Sequence, residues 1–179
     1  NYELGYKSQY FEGAVDSALT LFYQKRDDMQ VKQSVVISRD TGEVNGDCPC
    51  DFEDFFDNAT AGTNYGAEWQ LNAYAENLHA WLNLGLLKTT YDDYESFSHL
   101  NADPETGTPV DLDGRAQAHA PEYQFSTGAE YRWNSGLSWW TSVDGKDAFY
   151  LSPRHDEQTE SIVLLNTRIT YEKDNWSTA

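Results

Sequence analysis

The stretch EYQFSTGAEYR, residues 122–132, alternates strictly. Tyr123, Phe125, Thr127, Ala129 and Tyr131 fall on one side, and Glu122, Gln124, Ser126, Gly128, Glu130 and Arg132 on the other. A period of two is the side-chain period of a β-strand, and a slip by one residue would exchange the faces wholesale, so the pattern specifies register as well as strand. Its length suits a tilted strand crossing a bilayer, for which roughly 9–11 residues suffice.

The same alternation recurs along the chain. In 64–75, Tyr65, Ala67, Trp69, Leu71 and Ala73 oppose Asn64, Gly66, Glu68, Gln70 and Asn72; in 80–86, Ala80, Leu82, Leu84 and Leu86 oppose Trp81, Asn83 and Gly85. In 163–171, Val163, Leu165, Thr167, Ile169 and Tyr171 oppose Leu164, Asn166, Arg168 and Thr170. Val15, Ser17, Leu19, Leu21 and Tyr23 begin a longer strand that continues through 30–36. Residues 1–9 open the series, and 137–151 form a noisier strand because Trp139 and Trp140 are adjacent. An eighth strand starts at Trp176.

The connections alternate too. Short ones fall at 11–13, 76–78, 133–136 and 172–175, and long ones at about 38–63, 91–120 and 152–160. Short turns on one rim and long loops on the other mark an outer-membrane barrel, whereas compact domains rarely carry several connections beyond about 12–15 residues. Tyr123 and Tyr131 sit near opposite ends of one strand, and Tyr65, Tyr91, Tyr171 and Trp176 near strand ends elsewhere, as two interfacial girdles require. The expected fold is therefore all-β: an antiparallel up-and-down meander of about seven to eight strands, part of a transmembrane β-barrel. Glu68, Gln70, Asn72, Gln124, Glu130, Arg132, Asn166 and Arg168 are then the lumen-facing polar set.

Composition agrees. Aromatic residues make up 15% of the 179 residues, which excludes disorder, and no apolar run approaches the roughly 20 residues of a membrane helix. The net charge of -18 leaves no basic face for nucleic acid, and an anionic cytoplasmic leaflet would repel the chain. There is no initiator Met and no signal peptide, and Asn1–Tyr6 read as mid-strand, so residues 1–179 are expected to be a partial barrel domain of something longer.

Little points to catalysis. There is no Gly-x-Ser-x-Gly or phosphate loop, the carboxylates are too numerous to single out a pair, and His79, His99, His119 and His155 are scattered. Asp92, Asp93, Asp111 and Asp113 read as ordinary loop acids. No enzyme, cofactor or metal centre is expected. Cys48-Pro49-Cys50 is the most distinctive local feature. On an oxidising cell surface the favoured reading is a small-ring disulfide between Cys48 and Cys50; the competing reading, thiolates plus nearby carboxylates on a metal, has too few thiolates for a closed zinc site. The acidic run 51–57 lacks the spacing and central Gly of a calcium loop and reads as a solvated loop. Phe52, Phe55 and Phe56 within it are the candidate ligand-binding residues, suited to stacking on an aromatic or sugar ligand or to packing on other loops.

At the level of motifs, Asn1-Tyr2-Glu3-Leu4-Gly5-Tyr6-Lys7 resembles a segment in the C-terminal half of TonB-dependent receptor barrels, followed in order by Phe22-Tyr23 and Gln30. Asn64-Tyr65-Gly66-Ala67-Glu68, Asp113-Gly114-Arg115 with Ala120-Pro121-Glu122-Tyr123, Leu165–Tyr171 and Asn175-Trp176 continue the likeness over essentially the whole chain. The resemblance implies an open segment of a 22-stranded barrel in the cell outer membrane. It also implies import of a scarce small-molecule ligand such as a siderophore-iron complex. The implied partners are outer-membrane lipid, a plug domain and the remaining barrel, and TonB through an N-terminal part, all outside this sequence. Acidic, aromatic-bearing loops argue mildly against polyanionic ligands. The rival readings are a complete small barrel (lipocalin-like or an eight-stranded outer-membrane protein) and a carbohydrate-active β-sandwich.

Overall fold

Strands form largely where the alternation predicts them, and neighbours in the sheet share their backbone hydrogen bonds; the strand expected over 137–151 ends at Lys146, where the chain leaves the sheet for the connection that follows. The computed structural model describes residues 1–42, 49–92, 94–96, 110–153, 156–173 and 176–178, with the backbone alone at 28–36, 50, 52–60, 95–96, 110 and 176. The strands are β1 (Tyr2–Tyr10), β2 (Val15–Ser38), β3 (Cys50–Ala75), β4 (Leu78–Asp92), β5 (Glu95–Ser96), β6 (Val110–Asp111), β7 (Tyr123–Arg132), β8 (Leu137–Lys146), β9 (Ile162–Lys173) and β10 (Trp176–Thr178). One eight-stranded antiparallel sheet runs β1-β2-β3-β4-β7-β8-β9-β10, and β5 and β6 pair separately. The sheet stays open, with β1 and β10 at its two edges. It is neither a closed small barrel nor two packed layers, which removes both rival architectures.

Register carries one chemistry across the sheet. The chain of partners Leu19–Trp69–Leu84–Phe125–Gly145–Val163 crosses six strands on one face, and Leu21–Ala67–Leu86–Tyr123 lies beside it. This face is bare: Leu4 is 70% and Leu165 72% exposed. A soluble sheet would bury such a face, so its natural solvent is hydrocarbon. Polar groups on it are satisfied locally, as a lipid-facing surface demands. Trp69 Nε1 donates to Ser17 Oγ at 3.0 Å and Trp139 Nε1 to Thr167 Oγ1 at 2.8 Å. The hydroxyls of Thr127 and Thr141 return to the carbonyls of Trp81 and Asn166 at 3.0 and 3.1 Å.

Aromatic rows bound the apolar band. Tyr2, Tyr23 and Tyr65 are successive partners at the loop end, with Tyr123 one step lower; Tyr131 and Trp139 are partners at the turn end, where Tyr131 meets Trp133 edge-on at 4.7 Å. Tyr123 to Tyr131 spans about 26 Å along the strand, or about 20 Å at a tilt near 40°, and the rings at either end bring this to the scale of an apolar band about 25 Å tall. Tyr91 departs from expectation. It belongs to the opposite face, paired with Gly62, and is buried beneath a loop.

The turns follow the sequence closely. At Tyr10–Gly13 the two central residues, Phe11 and Glu12, both have positive φ (54° and 56°), and Gly13 N reaches Tyr10 O at 3.2 Å. Gly13 continues the left-handed run with φ 91°, and Ala14 N reaches Phe11 O at 3.1 Å, so the four residues 11–14 close the connection between the partners Tyr10 and Val15. At Trp133–Gly136 the left-handed residue is Gly136, φ 88°. The first long connection is shorter than expected: β2 runs to Ser38 and β3 begins at Cys50. The acidic, Phe-rich stretch has no clean alternation, yet pairing with an equally long β2 satisfies its backbone in a ribbon, with register shifts between Arg26 and Val31.

Candidate functional site

The other face of the sheet gathers the polar positions. Glu68, Gln70, Asn72, Gln124, Glu130, Arg132, Asn166 and Arg168 share it, as register requires: Asn72–Trp81–Gly128–Ser142–Asn166 is one row and Tyr74–His79–Glu130–Trp140–Arg168 the next. This face is concave. A hollow of about 660 Å³ is lined by Glu68, Gln70, Asn83, Gln124, Asp144 and Lys146 among others. Smaller hollows of about 480 and 540 Å³ lie towards the short turns, one beside Lys7 and Asp16, the other beside Arg132, Arg168 and Glu172.

Two clusters organise this inner face. Ser142, only 3% exposed, donates to Asp144 Oδ2 at 2.8 Å, and Asn166 Nδ2 donates to the same oxygen at 2.9 Å, binding β8 to β9 through side chains. Nearer the turns runs an aromatic series. Tyr74 and His79 stack at 4.7 Å, 3° apart; His79 meets Trp81 at 5.5 Å; Trp81 and Trp140 stack at 5.9 Å; Arg168 stands 5.5 Å over Trp140. His79 Nε2 also lies 3.2 Å from Asn72 Oδ1. Alternation already placed Trp81 opposite the apolar set. Trp140 was hidden by its neighbour, and the structure divides the pair: Trp139 faces outward, 46% exposed, and Trp140 inward.

The loop end of this face is roofed. After β4 the chain turns inward, so that Thr89 (5% exposed) and Tyr91 (6%) are covered and Tyr94 (0%) packs with Tyr91 and Leu112. Gln117 holds the roof down, its N donating to Thr89 Oγ1 at 3.1 Å and its Nε2 to Thr90 O at 2.9 Å. Asp113 and Asp111 are structural acids here: Asp113 accepts from Tyr94 N at 2.6 Å, and Asp111 from Asp113 N at 2.9 Å. Asp92 accepts from Thr63 and Thr90. The most buried aromatic residues among those described thus join the end of β4 to the connection that follows it, a feature that strand periodicity does not report.

The other expected site residues are placed differently. Phe52, Phe55 and Phe56 lie in β3, backbone-paired with Val36, Gln33 and Lys32, and not in a loop as expected. Cys50 begins β3 opposite Ser38, while Cys48 lies outside the described residues, as do His99, His155 and Asp93. His119 sits in the turn after the roof with φ 61°. Among the described residues no group of three or more His, Cys, Asp or Glu could hold a metal ion. At the ribbon end, Arg39 Nε donates to Asp51 Oδ1 at 2.8 Å, and this guanidinium holds the Asp51 carboxyl below its usual range.

Comparison with known proteins meets this geometry at the same place. No curated protein matches the sequence. Among solved structures, the siderophore receptor PiuA from Acinetobacter baumannii superposes with a TM-score of 0.69 at 15% identity, over 97% of this chain and 22% of that one. The chain therefore spans about a fifth of that receptor's length, and at this identity the likeness is one of fold. The family model for the TonB dependent receptor-like β-barrel matches residues 1–179. An open sheet with an apolar outer face, bounding aromatic rows, a polar concave face and long loops on one rim is what a wall segment of such a barrel should be, and the chain belongs to the TonB-dependent receptor β-barrel family.

Proposed function

We propose that this chain is wall and loops of an outer-membrane receptor that imports a scarce small-molecule ligand, such as a siderophore-iron complex, with energy delivered by TonB. The observation that carries the reading is the division of one eight-stranded sheet into an apolar face, continuous from β2 to β9, and a polar concave one. The first face meets outer-membrane lipid. The second lines a lumen, where the plug and the remaining barrel complete the wall around β1 and β10. The siderophore receptor found among similar structures supports the ligand class through fold. The family is one of receptors and not of enzymes.

Cys48 and Cys50 are proposed to close a small ring at the tip of the β2–β3 ribbon, and Phe52, Phe55 and Phe56 to offer ligand or loop contacts along it. The test is uptake of a panel of iron-loaded siderophores, cobalamin and maltodextrins by cells carrying or lacking the full-length receptor, with and without TonB. TonB-dependent uptake of a ferric siderophore lost with the receptor is expected. Uptake of every ferric siderophore unchanged by its loss would overturn the ligand class.

A further inference from the structure

Two of the long connections meet at one side chain. Arg115, following β6, is 14% exposed; its guanidinium carbon stands 4.1 Å from the centre of the Tyr150 ring, and Nη1 donates to Asp156 Oδ1 at 2.7 Å. Tyr150 and Asp156 belong to the connection between β8 and β9. The backbone of Arg115 is fixed from the opposite side, since its carbonyl accepts from Tyr91 N at 2.8 Å and its N donates to Leu112 O at 3.1 Å. The base of this side chain is therefore anchored on β4 and its head on another loop.

A second tie lies four residues on. His119 N donates to Tyr150 O at 2.9 Å, and the rings of His119 and Phe149 stand 5.9 Å apart. The receiving loop is itself folded, with Leu151 N on Glu157 O at 3.0 Å and Thr159 N on Phe149 O at 2.9 Å. We infer that Arg115 is a positioning residue that joins residues 112–119 of the β4–β7 connection and residues 147–153 and 156–159 of the β8–β9 connection into one packed unit at the rim of the inner face, so that the two loosen together.

The stack matters more than the ion pair. Asp156 is 92% exposed, and pairs in water contribute little, whereas a planar guanidinium laid on an aromatic face away from solvent is held more firmly. Lysine offers no plane to stack and should not replace it. The inference rests on these connections lying on the outward rim, as the proposed receptor requires. Its readout is amide exchange, independent of import, so either idea can fail alone.

The experiment is hydrogen exchange by mass spectrometry on the full-length receptor in detergent, unmodified and with Arg115→Ala or Arg115→Lys. Heat-modifiable gel migration confirms that the barrel is folded. Both substitutions are expected to speed exchange by about tenfold in 112–119 and in 147–159 alike. Acceleration confined to 112–119, no change in either segment, or full retention of protection by Arg115→Lys would overturn the inference. If the Arg115 variants do not fold, Tyr150→Leu removes the stack from the other loop and is judged by acceleration in both segments or its absence.

Discussion

Trp81 and Gly128 are direct partners across β4 and β7, and the indole of one occupies the place a side chain of the other would take. A Cβ at residue 128 would stand 2.5 and 2.8 Å from ring carbons of Trp81 and would also strike the carbonyl oxygen of Thr141. On the far side the same indole stacks on Trp140. The glycine thus lets a large ring lie flat against the lumen wall.

Gly128→Ala is accordingly expected to destabilise the barrel by about 1–3 kcal/mol, the cost of overpacking a fitted site. Denaturant unfolding of the full-length receptor in lipid, compared with Trp81→Phe and the double variant, checks it. The double variant should cost less than the sum, because both changes address one contact. Strict additivity would show that the Thr141 carbonyl, and not the indole, sets the limit.

Leu84 and Asn83 are neighbours in sequence on opposite faces of β4. Arginine at Leu84, near the middle of the apolar band, should cost about 2–4 kcal/mol, while Asn83→Arg should be nearly neutral. Folded yield in liposomes and unfolding midpoints give the comparison. Equal losses would mean that the assignment of faces is wrong.

Asp144 gathers the Ser142 hydroxyl and the Asn166 amide on one carboxylate oxygen. Asp144→Leu strands the enclosed serine and should cost about 1–3 kcal/mol, whereas Asp144→Asn, which keeps an acceptor oxygen, should cost less. The same unfolding assay separates them, and the reverse order would show that the charge and not the acceptor matters.

The Arg39–Asp51 pair at the ribbon end gives a pH signature. The folded carboxyl sits below its ordinary value because of the guanidinium beside it. Whatever the pair adds is thus fully present above the unfolded pKa, about 3.9, and fades as pH falls through the lowered folded value. Exchange at Arg39 N–H, bonded to Pro49 O at 2.8 Å, should be slower than in Asp51→Asn at neutral pH. After correction for intrinsic rates, that difference should vanish in acid. A difference that persists at pH 2 would remove the carboxylate from the explanation.

The sheet was legible because its face pattern is global. Every row of partners repeats the same division, so the alternation in 122–132 or 64–75 predicts its neighbours as well as itself. The ribbon end of β3 was not legible, since Asp54, Phe55 and Phe56 break the period and only the length of β2 reveals their pairing. Tyr91 misled for a related reason: an aromatic residue near a strand end is a girdle residue on one face and a packed one on the other, and the parity counted from Leu86 distinguishes them. The Arg115 contacts had no local signal, because they join positions 35 and 41 residues apart whose meeting depends on two loops.

The ribbon carries one more consequence. β1 reaches only the level of Tyr23, and β4 only that of Ala61, so beyond them β2 and β3 have each other and, among the described residues, nothing else. Over about 50 Å of paired chain, from Tyr23 to Ser38 at about 3.3 Å per residue, the amides and carbonyls along either border have no partner strand among the described residues. Such a border invites a foreign strand to add itself. The sequence of this stretch carries Asp27, Asp28, Asp51, Glu53, Asp54 and Asp57 against Lys25, Arg26 and Lys32, an excess of one sign of charge that disfavours such pairing between like chains.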